Sequence, residues 1–178
     1  DNVGRFMTEY GMQSFPSMSM IESFTNEKDR SLDSDVMNAH QKASLGTGNL
    51  MKYVEDYYQV NDDFDSIAGL SQIMQAEAIR FAVETHRRNM PYCMGTLYWQ
   101  FNDCWPVISW SSIDYGGNWK ALHYAARKFF SPLLISIRDL DNKIEIHVIN
   151  DQHHEIESEI RLGLFNFNGD RLFNDSSD

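Results

Sequence analysis

The sequence predicts an α/β unit followed by antiparallel β-structure. Two short apolar runs of strand length, residues 5–10 and 93–101, flank a long amphipathic stretch at 64–88. A second helical stretch, residues 119–130, follows the second run and stops at Ser131 and Pro132. Beyond that proline the apolar residues recur every second position, the period of a half-buried strand.

The elements follow in order. In "RFMTEYGMQSFPS" (5–17), Phe6 and Met7 read as the end of a buried strand with Glu9 directly after it. Pro16 and Ser17 suit the start of a short helix. "NEKDRSLDSD" (26–35) is a charged loop, "DVMNAHQKAS" one or two helical turns, and "LMKYVEDYYQV" a further short helix after the breaker "GTGN". In residues 64–88 the expected buried stripe is Ile67, Leu70, Met74, Ala78, Phe81 and Ala82, capped by Asp65 or Ser66. "CMGTLYWQF" (93–101) is continuously apolar, as in a strand covered on both faces. "LLISIRDLDNKIEIHVIND" gives two strands around a turn, and "ESEIRLGLFNFNGD" alternates and ends at the turn signal "NGD".

Residues 1–130 therefore read as strand, helices, strand and helix, two consecutive βα units. Residues 131–178 begin an all-β unit. In a (β/α)8 barrel, reactive residues sit at the carboxyl ends of the strands. Glu9 ends the first strand; Trp99, Gln100, Asn102 and Asp103 end the second.

Composition sets the outer bounds. With 178 residues, 42% hydrophobic and 13% aromatic, the chain can build a packed core. A net charge of −11 argues against nucleic acid or an anionic membrane as partner, since both require a cationic surface. No run approaches the roughly 20 apolar residues of a membrane span. No signal peptide is visible, and the chain opens without Met almost directly in a strand, so we expect a piece of something longer. Localisation stays open. If residues 94–100 are extended, Cys93 and Cys104 lie roughly 20 Å apart, too far for a disulfide.

The chemistry concentrates in two places. Glu9 is either a solvated or salt-bridged strand-end glutamate, or a carboxylate poised to react, with Tyr10 and Gln13 able to hold it by hydrogen bonds. "LYWQFNDCWPVISWSSIDYGGNWK" carries Trp99, Trp105, Trp110 and Trp119 with Asn102, Asp103 and Asp114. Aromatic faces stack on pyranose rings while amides and carboxylates take the hydroxyls, so this suits a sugar pocket; a Trp-rich core plug is the plainer reading. The histidines form no metal set, and Asp62, Asp63 and Asp65 lack the Gly and Glu of a calcium loop. No cofactor is called for.

"FMTEYGMQSFPSM" and "MGTLYWQFNDCWPVISWSSIDYGGNWKALHYAARKFFSPLL" resemble the β-mannosidases of glycoside hydrolase family 2, as does "LSQIMQAEAIRFAVETHRR" between them. The resemblance runs from about residue 4 to 135. It implies the last two βα units of a (β/α)8 (TIM) barrel within residues 1–130, and the start of an immunoglobulin-like β-sandwich in 131–178. It implies a retaining exo-hydrolase of terminal β-mannose, with Glu9 as nucleophile and Trp99 in the mannose subsite. Asn102, Asp103 and Trp105 are placed near the pocket. The family's acid/base, a Glu in an Asn-Glu pair, has no match here, since Glu27 of "NEK" sits in the wrong loop. The implied partners are a β-mannoside and the absent amino-terminal part of the parent, and the chain alone is expected to be inactive and to self-associate through open strand edges. β-Galactosidase and β-glucuronidase are neighbours within the same fold. A non-catalytic carbohydrate-binding or interaction module using the loop 99–119 is the alternative of a different class.

Overall fold

The computed structural model describes residues 3–61 and 63–177; Asp62, part of the acidic cluster noted above, lies outside them. Five α-helices precede four strands: α1 (Met18–Phe24), α2 (Asp35–Ala39), α3 (Gly48–Tyr57), α4 (Phe64–Arg88), α5 (Ala121–Phe129), β1 (Leu133–Leu140), β2 (Lys143–Asn150), β3 (Ile160–Phe165) and β4 (Arg171–Ser177). The charged stretch expected as loop contains one 3-10 turn, Glu27–Asp29.

Helix α4 organises the first part. Its cap is Asp63, which accepts from the backbone N–H of Asp65 and Ser66, two residues earlier than expected. His86, Arg87 and Arg88 lie in its last turn, where the helix dipole favours cations. Its buried face takes in Ile67 and Met74 of the expected stripe, with Leu70, Ala78 and Ala82 half-buried, but turns away from Phe81. Ile67, Ser71, Gln75, Ile79 and Val83 are buried, whereas Phe81 is 69% exposed. The correction has a physical cause: Ser71 and Gln75 are polar but face inward because loop backbone groups there need hydrogen-bond partners.

Two apolar clusters flank this polar stretch. Phe15, Ile21, Met37, Leu50, Ile67 and Ile108 form one beneath the short helices. Ala76, Ile79, Val83, Leu122, Ala126 and Phe129 form the other between α4 and α5, with Tyr10, Met12 and Tyr98 packed on it.

The two predicted strands exist as extended, parallel-paired segments rather than regular strands. Met94 N donates to Arg5 O (2.9 Å), Met7 N to Gly95 O (2.9 Å), Leu97 N to Met7 O (2.9 Å) and Trp99 N to Tyr10 O (2.7 Å). From Met7 to Tyr10 is three residues while from Leu97 to Trp99 is two, so Thr8 and Glu9 together oppose Leu97. That is a bulge. The opposite slip occurs one step earlier, where Arg5 to Met7 spans two residues and Met94 to Leu97 spans three. Only the Met7–Thr96 bridge survives as regular pairing. Phe6, expected in the buried end of a strand, is 52% exposed and lies over Gly95.

After α5 the hairpin β1–β2 pairs antiparallel from Leu133–Asn150 to Leu140–Lys143, around the expected turn. It docks on the end of α4: Ser136 donates to Glu84 (2.6 Å), and Arg87 donates to Asp151 (2.8 Å). Strands β3 and β4 form a second antiparallel pair. Its turn closes through Gly169 N to Asn166 O (3.0 Å), and the φ of +90° at Gly169 explains the glycine in "NGD".

Candidate active site

Tyr10 and Tyr98 pack on the α4–α5 cluster, and Thr96 bonds His86 of α4 (2.8 Å). Residues that alternate with them therefore leave the opposite face of the paired segments. Leu97 is 56% and Trp99 46% exposed, and Glu9 is exposed in the bulge opposite Leu97. Bulges re-aim side chains, and Glu9 stands exposed in this one, directly before Tyr10, whose carbonyl accepts from Trp99 N (2.7 Å).

The company expected for Glu9 is different. Tyr10 OH bonds Thr96 Oγ1 (2.5 Å), its ring edge meets His86, and burial pushes the phenol up. Gln13 donates to Gln41 Oε1 (2.9 Å) and the Ile108 carbonyl (3.4 Å). Neither side chain holds Glu9, because alternation turns Tyr10 toward α4 and Gln13 is buried in the next loop.

Past Tyr10 the chain crosses the end of the second segment at Gly11. A Cβ there would stand 2.4 Å from Trp99 O and 3.0 Å from Trp110 Cδ1, so only glycine permits the approach. The Trp99–Gln100 peptide is cis. Gln100 N then donates to Trp110 O (3.1 Å), and Ser14 and Ser109 exchange backbone bonds (2.9 and 3.3 Å). The loop carrying Glu9 and the loop carrying Trp99 are thus sewn together immediately beyond both residues.

The remaining expected site residues are placed as follows. Asn102 is exposed, and its carbonyl accepts from Gln100 Nε2 (2.8 Å). Asp103 is buried; its carboxylate accepts from Gln100 (3.0 Å), Ser109 (2.8 Å) and the Ser111 hydroxyl. Trp105 stacks on His40 (4.9 Å), which stacks in turn on Phe24 (3.9 Å). Glu9 and Trp99 are exposed on adjacent paired segments, Asn102 stands in the following turn, Asp103 is engaged within its own loop, and Trp105 rests on His40. Trp119 lies against His123 and Tyr124. Cys93 and Cys104 are free. Among the described residues, no group of three potential metal ligands occurs.

No protein-family model matches the chain. A β-mannosidase of Capra hircus is 38% identical over 151 residues, covering 77% of this chain and 17% of that protein. The crystal structure of β-D-mannosidase from Dictyoglomus thermophilum aligns over 97% of the chain with a TM-score of 0.81 and 30% identity. This chain is related to the β-mannosidases. It spans about a fifth of the length of those proteins, 17% of the goat enzyme and 22% of the Dictyoglomus one. An exo-chitosanase of Amycolatopsis orientalis shares the fold at 19% identity, with a TM-score of 0.74 over 96% of the chain.

In this β-mannosidase-related segment, the residues that sequence reasoning missed are polar and buried. Gln75 donates to Met12 O (2.8 Å) and Ser111 O (3.3 Å) and accepts from Ser14 Oγ (2.8 Å). Lys120, fully buried, donates to Ser14 O (3.3 Å) and Ser109 O (3.4 Å). Burial pulls its ammonium down to about 7, against the opposing pull of Asp103 and Asp114. The available signal for Gln75 was its place four residues from both Ser71 and Ile79 on an apolar helix. Lys120 carries no local signal.

Proposed function

We propose that the chain is the nucleophile-bearing part of a retaining exo-β-mannosidase of glycoside hydrolase family 2. Residues 1–130 are read as the last two βα units of a (β/α)8 barrel and 131–178 as the start of a β-sandwich domain. The observation that supports this most is that Glu9, exposed in a bulge, directly precedes Tyr10, whose carbonyl accepts from the backbone of the exposed Trp99. Glu9 attacks the anomeric carbon of a terminal β-mannose while a second carboxyl protonates the departing oxygen. In retaining enzymes the two carboxyl groups stand about 5–5.5 Å apart. Trp99 stacks on the mannose ring, and Asn102 stands at the rim. Asp103 acts by holding the loop, since its carboxylate is already engaged, and Trp105, stacked on His40 but 39% exposed, stands near the pocket.

The second carboxyl is assigned to the parent protein outside residues 1–178. The isolated chain is therefore inactive, and open strand edges with the exposed Phe6, Leu97 and Trp99 nearby favour self-association.

The test uses the full-length protein that contains this chain. Glu9→Gln lowers turnover of nitrophenyl β-mannoside by about a thousandfold or more while mannose binding persists. A 2-deoxy-2-fluoro mannoside leaves its label on the peptide containing Glu9. Turnover within tenfold of the parent, or a label elsewhere, overturns the assignment; binding without any turnover in the parent supports the non-catalytic module instead.

A further inference from the structure

The loops that leave Glu9 and Trp99 are joined over a charge the proposed reaction does not use. Lys120 is fully buried just before α5, with Nζ directed at two carbonyls, Ser14 O and Ser109 O. Those two residues are the ones that bridge the loops by backbone bonds. Ser14 lies five positions after Glu9, and Ser109 lies ten after Trp99. The charges facing the amine are both buried carboxylates on the second loop. Asp103 accepts from Ser109 and Ser111. Asp114 accepts from Ser17 on the first loop and from Asn118.

We propose that Lys120 is a positioning residue whose buried amine fixes the Glu9 loop against the Trp99 loop and so sets the spacing of nucleophile and indole. A cation here performs two tasks. Its N–H groups point at one carbonyl from each loop, which apolar contact does not do because it lacks direction. Its charge, when protonated, offsets two carboxylates buried near it. A purely structural requirement for filled volume would be met by methionine, which matches the length of the lysine stem and carries neither donor nor charge.

The functional half of this proposal rests on the reading of Glu9 and Trp99 as site residues; the mechanical half does not. Both halves are tested in the full-length protein with Lys120→Met and Lys120→Arg. Amide hydrogen exchange reports the mechanics: faster exchange at Ser14, Ser109 and Ser112 in Lys120→Met, at least tenfold, with α4 unchanged, is the expected result. Kinetics with nitrophenyl β-mannoside report the positioning. We expect kcat to fall at least tenfold in Lys120→Met with KM within threefold, and Lys120→Arg to recover part of the loss. Unchanged exchange together with unchanged kcat in a folded Lys120→Met protein overturns the proposal. So does failure of both variants to fold, since Lys120 would then be a folding residue only. If the parent protein does not hydrolyse the mannoside at all, the family reading fails while the exchange measurement still decides the mechanical half.

Discussion

Replacing Gly11 with alanine puts one methyl group between the Glu9 loop and the Trp99 carbonyl. The new Cβ would lie 2.4 Å from Trp99 O and 3.0 Å from Trp110 Cδ1. Ordinary contact for such pairs begins near 3.4 Å, so the two segments must part by about 1 Å. The obstructing oxygen is backbone and cannot rotate away. Parting the segments by that amount stretches the 2.7 Å bond from Trp99 N to Tyr10 O beyond useful length. Overpacking of this kind costs about 1–3 kcal/mol, and the lost hydrogen bond adds about 1. We expect a destabilisation of about 2–4 kcal/mol, read as a lower urea midpoint at unchanged slope. Gly69 supplies the internal control: it lies in α4 with open space around its Cβ position. Gly69→Ala should stabilise by about 0.5–1 kcal/mol. In the full-length protein Gly11→Ala should also lower kcat, because it moves the backbone on both sides of the proposed site. A Gly11→Ala chain as stable as the parent, or stabilised like Gly69→Ala, would refute the reasoning.

Two further outcomes are expected. Gln75→Leu keeps the volume on α4 but orphans Met12 O and Ser111 O and leaves the Ser14 hydroxyl only its 3.3 Å bond to Phe15 O, and should cost about 2–4 kcal/mol in a urea titration; a neutral result would show that water replaces the amide. Lys120 gives a pH dependence with a definite sign. Its folded pKa is lowered from 10.5 to about 7, so between those values the unfolded chain holds the proton more than the folded chain does. This group's contribution therefore rises with pH across that window, by at most about 1.4 kcal/mol per pH unit, and is flat below pH 7. The difference in unfolding free energy between the parent and Lys120→Met, measured at pH 6, 7, 8 and 9, should grow in the parent's favour only above 7. A constant difference would refute it.

What the sequence made legible follows a physical division. Periodicity located α4, α5 and the hairpin β1–β2 because these elements bury a repeating apolar face or alternate regularly. The turn at Gly169 was readable because one backbone angle demands one residue type. The paired segments around Met7 and Thr96 were readable as extended, but their two compensating slips were not, since a bulge depends on which residues pair across the gap. Gln75 escaped notice because a polar residue in an apolar stripe looks like an interruption until the loop carbonyls it serves are placed. Lys120 escaped for a stronger reason: its partners, Ser14 and Ser109, are 106 and 11 residues away, and a surface lysine has the same local sequence. Glu9 and Trp99 were legible as candidates from their places at the ends of two apolar runs, and resemblance gave them their roles.

The distribution of buried polarity carries its own argument. Apolar packing of α4 on α5 resists separation but tolerates small slides, because dispersion and hydrophobic forces have little direction. The segments bearing Glu9 and Trp99 share four backbone hydrogen bonds and two register slips, too little ladder to hold them rigidly. Directional bonds from outside the ladder must do so, and they are concentrated just beyond it: Gln75, Asp103, Ser109, Ser111, Asp114 and Lys120 all lie buried there. A chain selected only for stability would place leucines at such positions, since a buried ion cluster is rarely more stabilising than apolar packing. Retaining a desolvated lysine and two buried carboxylates makes sense where the geometry of nearby groups matters more than the stability sacrificed to fix it. The Gly69→Ala, Gly11→Ala and Lys120→Met variants separate these demands, because the first alters stability alone, the second breaks the loop approach sterically, and the third removes its charge while leaving its volume filled.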